Sequence, residues 1–355
     1  MRFPGTGVSE KILFKIKELS PKGNVLLIIL TLLVSALLLT RYGQFGTEIE
    51  VSSPEQNTVA QVEEIGSDEI GGEAAIPPAK AKAPVRFMMY NVRDYFVEKD
   101  KPRSKHTRRI KRNNEREAVA DVIAKVKPEI IGLVEIGGTA ALDDLAGRLA
   151  ARGLHYPHRK ALIRWGEDRA LAILSRYPIV ADNSVAECQL VGKTNRRMLR
   201  GILDVTIMLK DKRVFRIMGA HLKSRVSEDP AAAESLRVRE ARTLAAHIEQ
   251  AVRKQPDIPI LIYGDWNDGP SAPALEALRR GKSKASSLKR LNPKDDNGEV
   301  WTLFYKNGNE YSTFDQIYVN SVLSKRMGTK SKMGVVNVDE NRSPSDHRAV
   351  WCEML

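Results

Sequence analysis

An α/β fold, with mixed sheets packed between outer helices, is predicted for residues 85–355, and three observations predict it. Apolar runs of strand length alternate with helix-patterned stretches along the whole segment. Two of these runs, 201–209 and 214–220, flank Lys210-Asp211-Lys212-Arg213 as an antiparallel hairpin. Such a hairpin does not belong in a purely doubly wound parallel sheet. The chain has 355 residues, 42% hydrophobic and 28% charged. That composition excludes a wholly disordered, collagen-like or multi-span membrane protein. Two cysteines exclude a disulfide-stapled scaffold and a zinc site built on cysteine pairs.

The chain opens outside that domain. Residues 1–22 are a basic tail, and 23–41 contain one apolar run, Val25 to Leu39, broken only by Thr31 and Ser35. Gly23 to Thr40 would span about 27 Å as a helix, short but adequate for a bilayer core of about 30 Å. A transmembrane anchor is the expectation. The other reading is a signal peptide whose cleavage releases a secreted protein; its small-x-small site, Val34-Ser35-Ala36, lies inside the run with three leucines after it. Lys11, Lys15, Lys17 and Lys22 precede the run, and residues 42–79 hold eight acids and no Lys or Arg. This asymmetry places the N-terminus in the cytoplasm and the body of the chain outside the cell membrane. Residues 42–84 read as a linker, rich in Gly, Ala, Pro and Glu and closed by Ile76-Pro77-Pro78 and Ala83-Pro84.

Within 85–355 the elements follow in order. Val85–Tyr90 is a strand. Arg112–Val126 is a helix, with Val119, Val122, Ile123 and Val126 on one side and Pro128 beyond its end. Ile130–Val134 is a buried strand, and Thr139–Arg152 a helix with Thr139 as N-cap. Ala170–Leu174, Gly201–Leu209 and Val214–Ala220 are strands, Glu234–Arg253 a long helix, Ile258–Tyr263 a strand and Ser271–Arg279 a short helix. Thr313–Val319 and Arg348–Glu353 close the fold.

Polar residues gather where these strands end. Asn91 and Arg93 follow the first strand, Glu135 the second, His221 the hairpin, and Asp265 and Asn267 follow Leu261-Ile262-Tyr263-Gly264. Asp315 sits in the next strand, and Asp346-His347 precede the last. One such carboxylate is ordinarily a helix cap or a turn residue; six stations of acids, amides and histidines are too many for that. Hard oxygen ligands imply Mg²⁺ or Mn²⁺, since the cysteines are isolated and no histidine pair has zinc spacing. Residues 80–355 carry 51 Lys/Arg against 34 Asp/Glu, which favours an anionic partner as well as solubility.

The ordered elements Asn91-Val92-Arg93, Leu133-Val134-Glu135, His221-Leu222-Lys223, Gly264-Asp265-Trp266-Asn267, Phe314-Asp315-Gln316-Ile317-Tyr318 and Ser345-Asp346-His347 resemble the endonuclease/exonuclease/phosphatase superfamily. The likeness is to its deoxyribonuclease-like branch. It implies a four-layer α/β sandwich, two mixed sheets flanked by helices, with a metal-dependent phosphoesterase site at the sheet edges. By resemblance, Glu135 and Asp346 are the metal ligands. Asp265 and Asn267 position and activate the attacking water. His347 is the acid/base or phosphate-binding histidine, oriented by Asp315, and Asn91 orients the network. His221 is the second histidine, and Asp168 its expected acidic partner. One branch carries a metal-binding acid where Arg93 stands; Arg93 is instead expected on a substrate phosphate. Val134 and Phe314 also depart from common family residues without removing the chemistry.

The expected function is a membrane-tethered, Mg²⁺- or Mn²⁺-dependent phosphodiesterase acting on nucleic acid. The alternatives are a phosphatase or lipid phosphodiesterase on phosphoinositide- or sphingomyelin-like substrates and, in another class, an inactive phosphate-binding module. The basic stretch Lys99–Arg116 reads either as a track for a nucleic-acid backbone or as a solvated loop. Cys188 and Cys352 read as thiols, with pairing open in an oxidising compartment.

Overall fold

Fourteen strands, five α-helices and one 3-10 turn (Glu98–Asp100) lie among the described residues of the computed structural model, which are 84–100, 109–192, 195–339 and 343–354. The tail, the anchor expected over 23–41, nearly all of the linker and Lys101–Arg108 of the basic stretch lie outside them. Among the described residues no helix is long and apolar enough to cross a membrane.

The first half of the domain runs β1 (Val85–Tyr95), α1 (Asn113–Val126), β2 (Ile130–Ile136), α2 (Thr139–Ala150), β3 (His158–Leu162) and β4 (Ala170–Ser175). The second half runs β5 (Ile179–Asp182), β6 (Leu203–Met208), β7 (Val214–His221), α3 (Pro230–Lys254), β8 (Ile260–Asp265), α4 (Pro273–Arg279) and β9 (Leu288–Arg290). A small ribbon of β10 (Leu303–Tyr305) and β11 (Glu310–Ser312) follows. Then come β12 (Asp315–Asn320), α5 (Ser321–Met327), β13 (Met333–Val335) and β14 (Val350–Met354). The strands form two six-stranded sheets, ordered β13-β14-β1-β2-β4-β3 and β5-β6-β7-β8-β12-β9. Each contains one parallel pair, β1 with β2 and β7 with β8, bridged by a helical crossover, and is otherwise antiparallel.

Strand alternation explains the layers. In β1, Phe87 and Met89 point between the sheets, while Met88 and Tyr90 point to the helical layer with Val119, Ile123 and Leu145. In the second sheet Leu261 and Tyr263 face inward, and Ile260 and Ile262 meet Leu244 and Ile248 of α3. The architecture is helices, sheet, sheet, helices. Burying one such large apolar side chain is worth about 1.5–3 kcal/mol. At the centre the Tyr263 ring crosses the inter-sheet space, and its hydroxyl donates to Ala172 O at 2.9 Å. It fits because residues 132 and 219 are glycines: a Cβ on either would lie 2.5 Å from the ring.

Most expected elements stand with shifted ends. β1 continues to Tyr95, well past Tyr90, through an irregular stretch between Asn91 and Tyr95. α3 begins at Pro230, not Glu234, because Asp229 caps it by accepting the Ala232 N–H and proline suits the first helical position. Thr139 is not the N-cap of α2; Gly138 is, and the carboxylate that accepts an amide there, from Ala141 at 2.7 Å, belongs to Asp100. His158 begins β3, a strand the sequence pattern did not mark. Cys188 is half-buried and Cys352 buried in β14.

Candidate active site

The two sheets end together at one edge, and the polar stations meet there. Register fixes this. His221 pairs with Asp265 across the parallel β7/β8 pair, and Asp315 pairs with Asp265 across β12/β8. The first sheet contributes Asn91 and Glu135 from the neighbouring strands β1 and β2.

Bulges aim the groups from the first sheet. Glu135 interrupts the β2/β4 register, between Val134 opposite Leu171 and Ile136 opposite Ala170, with φ 64°. Arg93 and Asp94 lie in the irregular end of β1 with φ 43° and 49°. Positive φ is unfavourable for such residues and is kept where the surroundings impose it. Here it turns the Asp94 N–H onto Glu135 Oε2 at 3.2 Å. Asn267 has φ 50°, its amide N–H donating to Asp265 Oδ1 at 2.9 Å and its side chain to Leu222 O at 3.0 Å.

A hydrogen-bond chain crosses from one sheet to the other. Asn91 Nδ2 donates to Asp265 Oδ2 at 3.0 Å and lies 3.4 Å from His347 Nε2. His347 Nδ1 meets Asp315 Oδ2 at 2.7 Å. His221 Nε2 lies 3.5 Å from Asp265 and 3.9 Å from Glu135. All of these side chains are buried. Burial pushes the Glu135 carboxyl above its ordinary range despite Arg169 beside it, and pushes Asp265 up against the pull of His347. Burial disfavours a charged His347, but Asp315 and Asp265 outweigh it and raise its pKa to about 10.

The cleft above these groups has a volume of about 730 Å³, and Arg93, Glu135, His221, Asp265, Asn267, Asp346 and His347 are among its lining residues. Asn91 and Asp315 lie behind them in the hydrogen-bond chain. Arg93 is largely exposed, with Nε 3.5 Å from Asp346 Oδ2, so the residue expected on phosphate and one expected on metal are neighbours. Asp168 is half-buried just before β4. The side chain from this turn that reaches the cleft is that of Arg169, whose Nη1 is 3.0 Å from Glu135 Oε1 and whose Nε is 2.8 Å from Asp94.

Three supporting residues escaped the sequence reading. Asp94 stands one position beyond Arg93, and only the bulge in β1 reveals its reach; Arg169 stands beside the Asp168 that drew attention. Thr302 Oγ1 accepts the N–H groups of Phe314 and Asp315 and so holds the start of β12, with no local motif to announce it. In the basic stretch, Arg109 pairs with Glu115, and Lys111 is buried and donates to Arg93 O at 2.8 Å. Burial lowers the Lys111 pKa to about 8.

The donor set fits a hard divalent cation. Glu135, His221 and Asp265 each offer an atom within 4.8 Å of the others, as do Asp265, Asp315 and His347. Asp346 Oδ1 is buried without a hydrogen-bond partner. Carboxylate oxygens and imidazole nitrogens are both ligands for divalent cations.

Two mixed sheets back to back, with acids and histidines along one shared edge, define a deoxyribonuclease-like α/β sandwich. Residues 89–341 match the sequence profile of the Endonuclease/Exonuclease/phosphatase family, and the chain belongs to that family. Its members are phosphoester hydrolases that generally use divalent metals. A comparison with curated proteins finds no significant sequence match. Among solved structures, the human Nocturnin catalytic domain with bound sulfate is 18% identical, with TM-score 0.54 over 77% of this chain and 94% of that one. Truncated TDP2 of Caenorhabditis elegans is 15% identical, with TM-score 0.53 over 77% and 98%. A mannosyl-6-phosphatase of Bacteroides thetaiotaomicron is 17% identical, with TM-score 0.52 over 76% and 99%. At these identities the likeness shows the fold.

Proposed function

We propose that the chain is a divalent-metal-dependent phosphodiesterase, nuclease-like, that hydrolyses a P–O bond with water. The observation that carries this reading is the buried pair His347–Asp315 at 2.7 Å facing Asp265, with Glu135 and His221 offering atoms within 4.8 Å of Asp265. Glu135 and Asp346 would hold Mg²⁺ or Mn²⁺, with His221 and Asp265 within reach. An ion held there would neutralise phosphate charge and stabilise the leaving oxygen. Asp265, kept in place by the Asn91 and Asn267 N–H donors, accepts a proton from the attacking water. His347 Nε2 contacts the phosphate, its cationic form stabilised by Asp315 on Nδ1. Asp168 is kept as the proposed partner of His221, and Arg93 as a phosphate contact.

The basic excess of residues 80–355 supports a polyanionic substrate. The apolar run Val25–Leu39 with its flanking charges supports a membrane anchor that leaves the domain outside the cell. The test is incubation of the full chain with Mg²⁺ or Mn²⁺ and plasmid DNA, RNA, phosphomonoesters or lipid phosphodiesters. Cleavage of DNA or RNA that chelator abolishes supports the proposal. Turnover of phosphomonoesters or lipids alone would favour the phosphatase or lipid reading. Phosphate binding without turnover of any substrate would make the domain an inactive binding module.

A further inference from the structure

Both oxygens of the Glu135 carboxylate are engaged: Arg169 Nη1 lies 3.0 Å from Oε1, and the Asp94 N–H donates to Oε2 at 3.2 Å. That N–H belongs to the peptide unit joining Arg93 to Asp94. The other end of the same unit, Arg93 O, accepts from Lys111 Nζ at 2.8 Å. One peptide plane thus carries Lys111 at one end and Glu135 at the other. Its orientation is the costly one. Asp94 has φ 49°, and rotating the unit by about half a turn would return that residue to the negative φ that L-residues favour. The same rotation would take the N–H away from Glu135 and turn it towards Lys111, a donor facing a donor. Lys111 is built into this place. It is only 5% exposed, and its own N–H donates to Phe96 O at 3.0 Å, which pins it beside the end of β1. The nearby Glu115 carboxylate is taken by Arg109 and by the Arg112 N–H. Taking an ammonium out of water is costly, and an apolar side chain of similar length would fill the space without that cost. What the ammonium adds is a charge-assisted hydrogen bond to the carbonyl, which also polarises the unit and strengthens its N–H as a donor.

We propose that Lys111 is a positioning residue for the metal centre: acting through the Arg93–Asp94 peptide unit, it orients the Glu135 carboxylate. This rests on the reading that Glu135 holds a divalent cation and deepens it, since the orientation of that ligand is set from a loop outside the cluster. Partners that hydrogen-bond a ligating carboxylate fix its direction, and their loss weakens metal binding without removing a ligand. Lys111 stands one step further back and passes its effect through the backbone.

The experiment is calorimetric titration of the full chain with Mn²⁺, beside thermal melts in chelator. Lys111→Met keeps the length of the side chain and removes the donor. Its Kd for Mn²⁺ should rise about tenfold, while its melting temperature in chelator stays level or rises, because a buried charge has gone. Lys111→Arg, which keeps a cationic donor, should retain most of the affinity. In a Glu135→Gln background, Lys111→Met should add a loss of only about twofold or less, since the ligand through which it acts is already disabled. An unchanged Kd in folded Lys111→Met, or an equal loss in both backgrounds, overturns the proposal. A lowered melting temperature with an unchanged Kd would assign Lys111 to the fold alone. Where Lys111→Met does not fold, Lys111→Gln, too short to reach the carbonyl, is judged by the same Kd. Wild-type protein that binds no Mn²⁺ would overturn the metal reading and this proposal with it. That result is distinct from wild-type binding that Lys111→Met shares, which overturns the proposal and leaves the metal reading standing.

Discussion

His347 Nδ1 lies 2.7 Å from Asp315 Oδ2, while its Nε2 faces Asp265 Oδ2 at 3.8 Å. The ring is held between a carboxylate that fixes it and one that shares its working side. Asp315→Asn keeps the shape and removes the charge, so it should lower kcat by about 10²–10⁴, the usual worth of a positioned acid or base. Steady-state kinetics with a thermal melt checks this; near-normal kcat in a folded variant would refute the pairing's role.

The same pair has a pH consequence in metal-free protein. The His347 pKa is raised from its ordinary 6.5 to about 10 by the carboxylates despite burial. Its stabilisation is therefore complete below about pH 6.5 and is lost as pH rises through about 10. Denaturant unfolding in chelator should show stability declining across that window, with a shallower decline in Asp315→Asn. A flat profile in wild-type protein would contradict it.

Glu135→Gln preserves side-chain volume and removes the charge that would hold the cation. Activity at fixed Mn²⁺ should fall by about 100-fold or more, since outer partners of a metal alone are worth about 10–100-fold. Raising the metal concentration should rescue part of the loss. Full activity of the wild-type chain in chelator would end the metal assignment altogether.

Arg93 is largely exposed and reaches Asp346 only at 3.5 Å, so it has little structural work to lose. Arg93→Ala should leave the melting temperature nearly unchanged. On duplex DNA it should flatten the dependence of log K on log salt by about 0.9, one phosphate contact. A folded variant with the wild-type slope would remove Arg93 from the phosphate.

Gly132→Ala places a methyl 2.5 Å from the Tyr263 ring. Overpacking of this kind costs about 1–3 kcal/mol, readable as a lower denaturant midpoint. Tyr263→Ala, destabilising alone, should make the same glycine substitution much cheaper. Additive effects in the double variant would mean that the two residues do not touch as described.

Much of the site was legible because the chemistry-bearing residues close apolar strands in chain order: Glu135 after Leu133-Val134, Asp265 after Tyr263-Gly264, His347 before Ala349-Val350. A β-strand announces its end by a change of polarity, and these residues are that change. What escaped depended on contacts far along the chain or on backbone irregularity. Asp94 and Glu135 meet through two bulges, Asp100 caps a helix 41 residues away, and Thr302 anchors Asp315 from a neighbouring loop. Short strands such as Leu288–Arg290 and Met333–Val335 escaped because three residues are too few to establish a period. They form by pairing with longer strands already in place.

Asn91 belongs to one sheet, and the Asp265 it holds belongs to the other, so the working centre straddles the seam between two layers. A sliding displacement of one layer over the other by an ångström would leave every strand intact and still pull the centre apart. The tyrosine lodged between Gly132 and Gly219, two residues before Asp265 in β8, therefore acts as a dowel that sets the lateral alignment of the layers. A substitution that loosens it should extinguish turnover at temperatures where far-ultraviolet circular dichroism still reports a folded protein. Inactivation and unfolding would then be separate events.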